Sequence, residues 1–182
     1  MNGEMDFGES LAARVKLLEG VEVSSLGEVY DALQYAPGAR TMIRTLKRLG
    51  YRFALVSGGF TQIIERIADE LGVDYFAANE LEVVDGKLTG RIVGDVIDRP
   101  GKAAALRRFA DEARIPVRNT VAIGDGANDL DMLAASGLGI AFNAKQVVRD
   151  QARTSVNVPY LDAIIYLLGI TREEVEAADA AD

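Results

Sequence analysis

Apolar residues recur at two periods along this chain, and the change from one to the other divides it. Over residues 1–35 the period is helical. Leu11, Val15 and Leu18 share a face, Gly20 closes that stretch, and Ser24-Ser25 stands where a following helix needs a cap. From Pro37 helical stretches alternate with short apolar runs. Met42, Ile43, Leu46 and Leu49 line a helix that starts near Pro37 and stops at Gly50. Phe53-Ala54-Leu55-Val56 is the pattern of a parallel strand buried on both faces, broken by Ser57-Gly58-Gly59. Ile63, Ile64, Ile67 and Leu71 follow on a helix ended by Gly72, and Tyr75-Phe76-Ala77 reads as a short strand.

Residues 81–97 depart from this rhythm, because Leu81–Val84 and Lys87–Val93 flank Asp85-Gly86, a two-residue hairpin signal. The alternation then resumes. A helix is predicted over 101–113, a strand over Thr120–Ile123 and a helix near 128–136. A strand over Leu138–Phe142, a helix near 144–151, a strand over 154–158 and a helix over 160–168 follow. The last dozen residues are acidic and Ala-rich, the composition of a frayed tail. The pattern is that of an α/β domain (37–170) with a small helical unit at its front (1–36) and an acidic tail (171–182).

Composition narrows the chemistry more than the fold. Twenty basic against 28 acidic residues give a net charge of −8, so a general electrostatic grip on nucleic acid or an anionic membrane is not expected. Among 182 residues there is no Cys, no His and no Trp. Thiolate chemistry, Cys/His zinc sites and every mechanism built on an imidazole base are therefore excluded within these residues. What remains is carboxylates, Lys, hydroxyls, backbone dipoles and a hard metal ion. Met1-Asn2-Gly3-Glu4-Met5-Asp6 lacks the basic and apolar regions of a signal peptide, and no window approaches ~18 apolar residues. The expected location is cytoplasmic.

In open parallel sheets, ligands bind beyond the carboxyl ends of the strands. Two such ends carry polar text. Val56-Ser57-Gly58-Gly59-Phe60 offers a hydroxyl, two glycines and a helix N-terminus, the parts of an anion site and equally of a plain Gly-rich connection. Gly124-Asp125-Gly126-Ala127-Asn128-Asp129 offers two carboxylates and an amide, which suit oxygen ligation of Mg²⁺ and also a capped strand-to-helix turn. Lys102 stands between them at the start of a helix, where a cation opposes the macrodipole unless an anion is near. Arg14 lies on the first helix beside Val15. A hydroxyl, a Lys, a dipole end and Mg²⁺ would together stabilise a transferring phosphoryl group.

These residues resemble motifs two, three and four of the haloacid dehalogenase superfamily. Further segments, among them Gly3–Phe7, Arg14-Val15, Ala78-Asn79-Glu80-Leu81, Asp85–Gly90 and Ile140–Lys145, are similar to its phosphoserine phosphatase family. The resemblance covers roughly residues 1–170. It implies a Rossmann-like parallel sheet with helices on both faces, a small helical cap and a β-hairpin insert. The implied reaction is hydrolysis of O-phospho-L-serine with Mg²⁺ through an aspartyl-phosphate, in serine biosynthesis. By position, Ser57 and the Gly58 amide would hold phosphoryl oxygens, Lys102 would neutralise the phosphate, and Asn128 would contact it. Asp125 would ligate Mg²⁺ and Asp129 would order its water shell. Arg14 would pair with the substrate carboxylate, with Phe7 and Met1 packing near it. The implied partner is a small-molecule substrate; a homodimer is the assembly weighed.

One family motif has no counterpart. The strand ending in Asp-x-Asp, which supplies the nucleophile and the general acid/base, precedes the cap in the family. Asp129-Leu130-Asp131 has the spacing but falls in a helix, and Asp95 and Asp98 are spaced wrongly. The family places that strand at the centre of the sheet. Its lack predicts a slot about two strand spacings (roughly 10 Å) wide, lined by unpaired backbone. The expectation is a chain incomplete at its front (an internal start, a truncated gene or a fragment) and inactive alone. The alternatives are a non-catalytic Mg²⁺- or phosphate-binding remnant with a regulatory or partner role, and a phosphatase for another small phosphomonoester.

Overall fold

The computed structural model describes residues 7–180, with side chains through Ala177. Two short helices come first, α1 (Phe7–Lys16) and α2 (Leu26–Asp31). The helix α3 (Ala39–Arg48) leads into β1 (Ala54–Phe60), α4 (Thr61–Leu71) and the hairpin β2 (Tyr75–Val84) and β3 (Lys87–Val93). Next come α5 (Arg99–Glu112), β4 (Val121–Gly124), α6 (Leu130–Ala135), β5 (Leu138–Phe142), α7 (Gln146–Arg149) and β6 (Thr154–Val156). Two helices, α8 (Ala163–Leu167) and α9 (Arg172–Ala180), end the described chain.

The strands form two three-stranded sheets rather than one. In the first, β1 runs parallel to β2, and β2 turns antiparallel into β3. In the second, β4, β5 and β6 are parallel, with Ile123 opposite Ile140 and Phe142 opposite Val156. Edge strands β1 and β4 do not pair with each other. Between them lies a cavity of about 730 Å³ whose wall includes Ala54–Val56 of β1 and Val121–Ile123 of β4. Leu106, Phe109 and Ala110 of α5 line it on one side, and Met42 and Leu46 of α3 with Ile164 of α8 line it as well. The slot expected from the sequence is therefore present, with unpaired strand edges on its walls and apolar side chains from both helix layers.

Helix α5 ties the two sheets together. Its Ala105 and Phe109 pack with Ala77, Val56 and Tyr75 of the first sheet, and the Tyr75 and Phe109 rings stack at 5.2 Å. One residue round, Leu106 packs with Ala122, Leu130 and Met132 beside the second sheet. On the other face Met42 and Leu46 cluster with Ile140, Ile164 and Ile165, and Phe53 and Ile123 join them. Leu11 and Val15 of α1 pack on Leu81 and Leu88 of the hairpin.

Four local readings are corrected. The strand expected to break at Ser57-Gly58-Gly59 runs on through them to Phe60, with its register against β2 shifting between Val56 and Phe60. The strand at Tyr75–Ala77 and the first hairpin arm are one continuous element, β2, which belongs to both pairings because Ala78-Asn79-Glu80 also stays extended. Ser25 begins α2 without a side-chain cap, since a 3₁₀ turn over Val23–Ser25 already supplies the entry. Residues 172–180 are helical rather than frayed. Thr171 and Glu174 exchange side-chain and backbone hydrogen bonds at the start, and Val175 packs on the Ile164–Ile170 cluster.

Candidate functional site

The turn after β4 is built around one buried ion pair. Lys102 Nζ donates to Asp129 Oδ1 at 2.6 Å, with the side chains only 8% and 7% exposed. The other oxygen, Asp129 Oδ2, accepts from the backbone N–H of Asp125 (3.2 Å) and Gly126 (3.0 Å). The anion that a Lys in the first turn of α5 calls for is thus supplied by the protein, from 27 residues along the chain. Gly124 and Gly126 are required by closeness. A Cβ on Gly124 would stand 2.5 Å from the Asp129 Cβ, and one on Gly126 would stand 2.4 Å from Asn128 Oδ1. Asp125 is exposed and Asn128 half-buried, so both remain open to a ligand.

Within β1, at the turn of the strand where its register against β2 shifts between Val56 and Phe60, Ser57 Oγ accepts from Gly59 N–H at 3.0 Å, which leaves the hydroxyl proton for an outside acceptor. Phe7 roofs this turn, its Cζ lying 3.5 Å from where a Gly58 Cβ would be. The Ile97 carbonyl lies 3.7 Å from that same point. Because Ile97 leads directly into α5, the Ser57 turn and the first turn of α5 that bears Lys102 lie at the same end of the fold.

The structure therefore sets Ser57, Gly58 and Phe7, in and over the carboxyl-terminal half of β1, at the same end of the fold as Lys102 and, beyond β4, Asp125, Asn128 and Asp129. Arg14 is placed apart. It is exposed, and its Nε donates to Ser10 O at 3.2 Å within its own helix. It lies seven residues beyond Phe7, about 10 Å along the helix and on nearly the same face. Met1 lies outside the described residues.

Two contributors carried no sequence signal strong enough to be named as such. Asp98 caps α5, its Oδ1 accepting from Gly101 N–H at 2.8 Å. Asn79, inside β2 and 0% exposed, bonds to the Ser57 turn and to Ile97. An Asn directly after the apolar run Tyr75–Ala78 was the available hint.

The donor set at the β4 end is hard oxygen. The open Asp125 carboxylate and Asn128 amide, with the Asp129 carboxylate engaged behind them, fit Mg²⁺, which is held by one or two carboxylates and completes its shell with water and phosphate oxygen. Among the described residues no group of three or more acids gathers into a cage. No described helix is long and apolar enough to cross a membrane.

The chain is 62% identical over 98% of its length to a phosphoserine phosphatase of Streptomyces coelicolor. It is 58% identical over its whole length to one of Mycobacterium tuberculosis. It spans only 44% of each of those relatives. A solved structure of a substrate-bound phosphoserine phosphatase complex superimposes with a TM-score of 0.84 at 38% identity, over 92% of this chain and 80% of that one. Residues 2–134 match the haloacid dehalogenase-like hydrolase family. Because that match spans well over half of the chain and both named relatives are more than half identical to it, the chain belongs to the haloacid dehalogenase-like hydrolase family.

Proposed function

We propose that these residues form the phosphate- and Mg²⁺-binding part of a cytoplasmic phosphoserine phosphatase, which hydrolyses O-phospho-L-serine to L-serine and phosphate. The observation that carries the reading is the buried Lys102–Asp129 pair set at the same end of the fold as the Ser57-Gly58 turn. The identity to phosphoserine phosphatases narrows the substrate.

In this reading the Ser57 hydroxyl and the Gly58 N–H donate to phosphoryl oxygens. Lys102 has further protons beyond the one given to Asp129 and meets the phosphate charge. Asn128 donates its amide to the same group. Asp125 would ligate Mg²⁺ directly and Asp129, whose oxygens are engaged by Lys102 and the Asp125 and Gly126 amides, would order its water shell; the ion when bound supplies Lewis-acid polarisation of a phosphoryl oxygen. Phe7 excludes water from above the turn. Arg14, swung from Ser10 O along the Phe7 face, forks the substrate carboxylate.

Covalent turnover needs an acceptor for the phosphoryl group, and no residue gathered at this site is placed as that nucleophile. The 182 residues are therefore proposed to bind substrate without turning it over. The test is calorimetry of the 182-residue chain with Mg²⁺ and, separately, phosphoserine and inorganic phosphate. Both should bind. Arg14→Ala should weaken phosphoserine and leave phosphate unchanged. Sustained release of phosphate from phosphoserine by the same preparation would overturn the claim of inactivity. Equal weakening of both ligands by Arg14→Ala would overturn the substrate assignment.

A further inference from the structure

The hydrogen-bond pattern around Asn79 ties the Gly58-Gly59 stretch of β1 to the segment that leads into α5. Its side chain is 0% exposed in the middle of β2, although Asn is a poor strand former. Nδ2 donates to Gly58 O at 2.9 Å and to Gly59 O at 3.4 Å. Oδ1 accepts from Ile97 N–H at 2.7 Å. A buried primary amide is retained at such a position only when its bonds are made, and here all three go to backbone outside β2.

We propose that Asn79 is a positioning residue that sets the Ser57 turn against the Lys102 helix. The inference rests on the reading above that Ser57 and Lys102 hold one phosphoryl group. A trans peptide unit is planar, so holding the Gly58 carbonyl toward Asn79 aims the following N–H, that of Gly59, the opposite way. That N–H is the one donated to Ser57 Oγ. The Asn79 amide thereby fixes the lone pair Ser57 uses internally and the direction left for its proton. The other end of the same amide holds Ile97, two residues before α5 begins and five before Lys102. One rigid side chain therefore spaces hydroxyl and ammonium, groups carried by β1 and α5.

Asn79→Asp separates this role from mere packing. It keeps the volume and the acceptor for Ile97 N–H, but turns the donor that faces two carbonyls into an acceptor. Measured on the 182-residue chain by amide hydrogen exchange, Gly59 should exchange roughly tenfold faster in Asn79→Asp while Ile97 stays protected. In Asn79→Ala both amides should exchange faster. The dissociation constant for inorganic phosphate should rise by roughly tenfold or more in each variant, whereas the core control Val148→Ala, away from the slot, should leave it unchanged. If Asn79→Ala fails to fold, Asn79→Asp alone decides. Unchanged Gly59 exchange and a phosphate affinity within about twofold of wild type in Asn79→Asp would overturn the inference. Failure of the wild-type chain to bind phosphate would instead overturn the reading of the site, and the Gly59 and Ile97 exchange pattern would still decide the role of Asn79.

Discussion

Filling the slot between β1 and β4 should stabilise these residues, where filling an ordinary core would do the opposite. The cavity measures about 730 Å³. Its lining is largely apolar, with Leu106, Phe109, Met42, Leu46 and Ile164 facing a space that no side chain fills, so apolar surface added there gains partners. Ala110 on α5 lines it and is only 4% exposed, which makes its methyl a probe of the space in front of it. Ala110→Leu adds three carbons. At about 0.8 kcal/mol for each carbon buried they contribute roughly 2.4 kcal/mol. Side-chain ordering takes back about 0.5–1 kcal/mol, leaving a net gain of about 1.5 kcal/mol. The same substitution in a closed core would cost about 1–3 kcal/mol through overpacking. The two cases differ in sign, so errors in either estimate do not blur the outcome. Urea unfolding followed by circular dichroism reads it directly. A loss of about 1 kcal/mol or more would mean that the walls have closed and that the slot is not a feature of the molecule in solution.

Three further outcomes follow from named contacts. Lys102→Met leaves Asp129 buried with only the Asp125 and Gly126 amides, and should lower stability by about 3 kcal/mol; a urea-derived loss under about 1 kcal/mol would count against the buried pair. Gly124→Ala drives a methyl into the Asp129 side chain at its root, where it cannot swing away, and should cost about 1–3 kcal/mol by the same measurement while weakening phosphate binding. Hydrogen bonds from Tyr30, Tyr35 and Arg40 hold the Glu70 carboxyl down to about 2 from its ordinary 4.5. Between those two values the unfolded chain binds the extra proton, so this contribution is whole above about pH 4.5 and lost as pH falls toward about 2. The urea midpoint should therefore drop across that window in wild type and drop less in Glu70→Gln; parallel curves would refute the coupling.

Where the sequence was legible, a local rule was enough. The apolar run Leu138–Phe142 announced a buried parallel strand and Asp85-Gly86 announced its hairpin, because both depend on neighbours in the chain, whereas Phe53–Val56 announced a strand that is only partly buried because it borders the slot. The site residues were legible as a set only through their order along the chain. Singly, Lys102 conflicted with the helix dipole, and its partner lay 27 residues away, beyond any local pattern. The misread parts share that cause. Ala78-Asn79-Glu80 looked like a break in a strand, since the bonds that satisfy Asn79 go to Gly58 and Ile97. The acidic tail looked unable to order because its stabilising contact, Val175 on the Ile164–Ile170 cluster, is tertiary.

The slot and the site bear on one another through α5. Ser57 and Gly58 sit on the first sheet, while Asp125 and Asp129 follow a strand of the second, and no strand pairing joins the two. Helix α5 packs on both, through Ala105 and Phe109 to one side and Leu106 to the other. It also carries Lys102, which is bonded to the second sheet's turn, and it follows Ile97, which is bonded through Asn79 to the first. The separation of the groups proposed to hold phosphate thus depends on α5, the bridging helix that carries or ties those groups, lying over an unfilled space. Phosphate affinity of Ala110→Leu discriminates between two consequences. If affinity is unchanged while stability rises, α5 and its two polar ties fix the site whatever fills the slot. If affinity moves with stability, the width of the slot itself sets the distance from Ser57 to Lys102, and whatever occupies it tunes binding as well as folding.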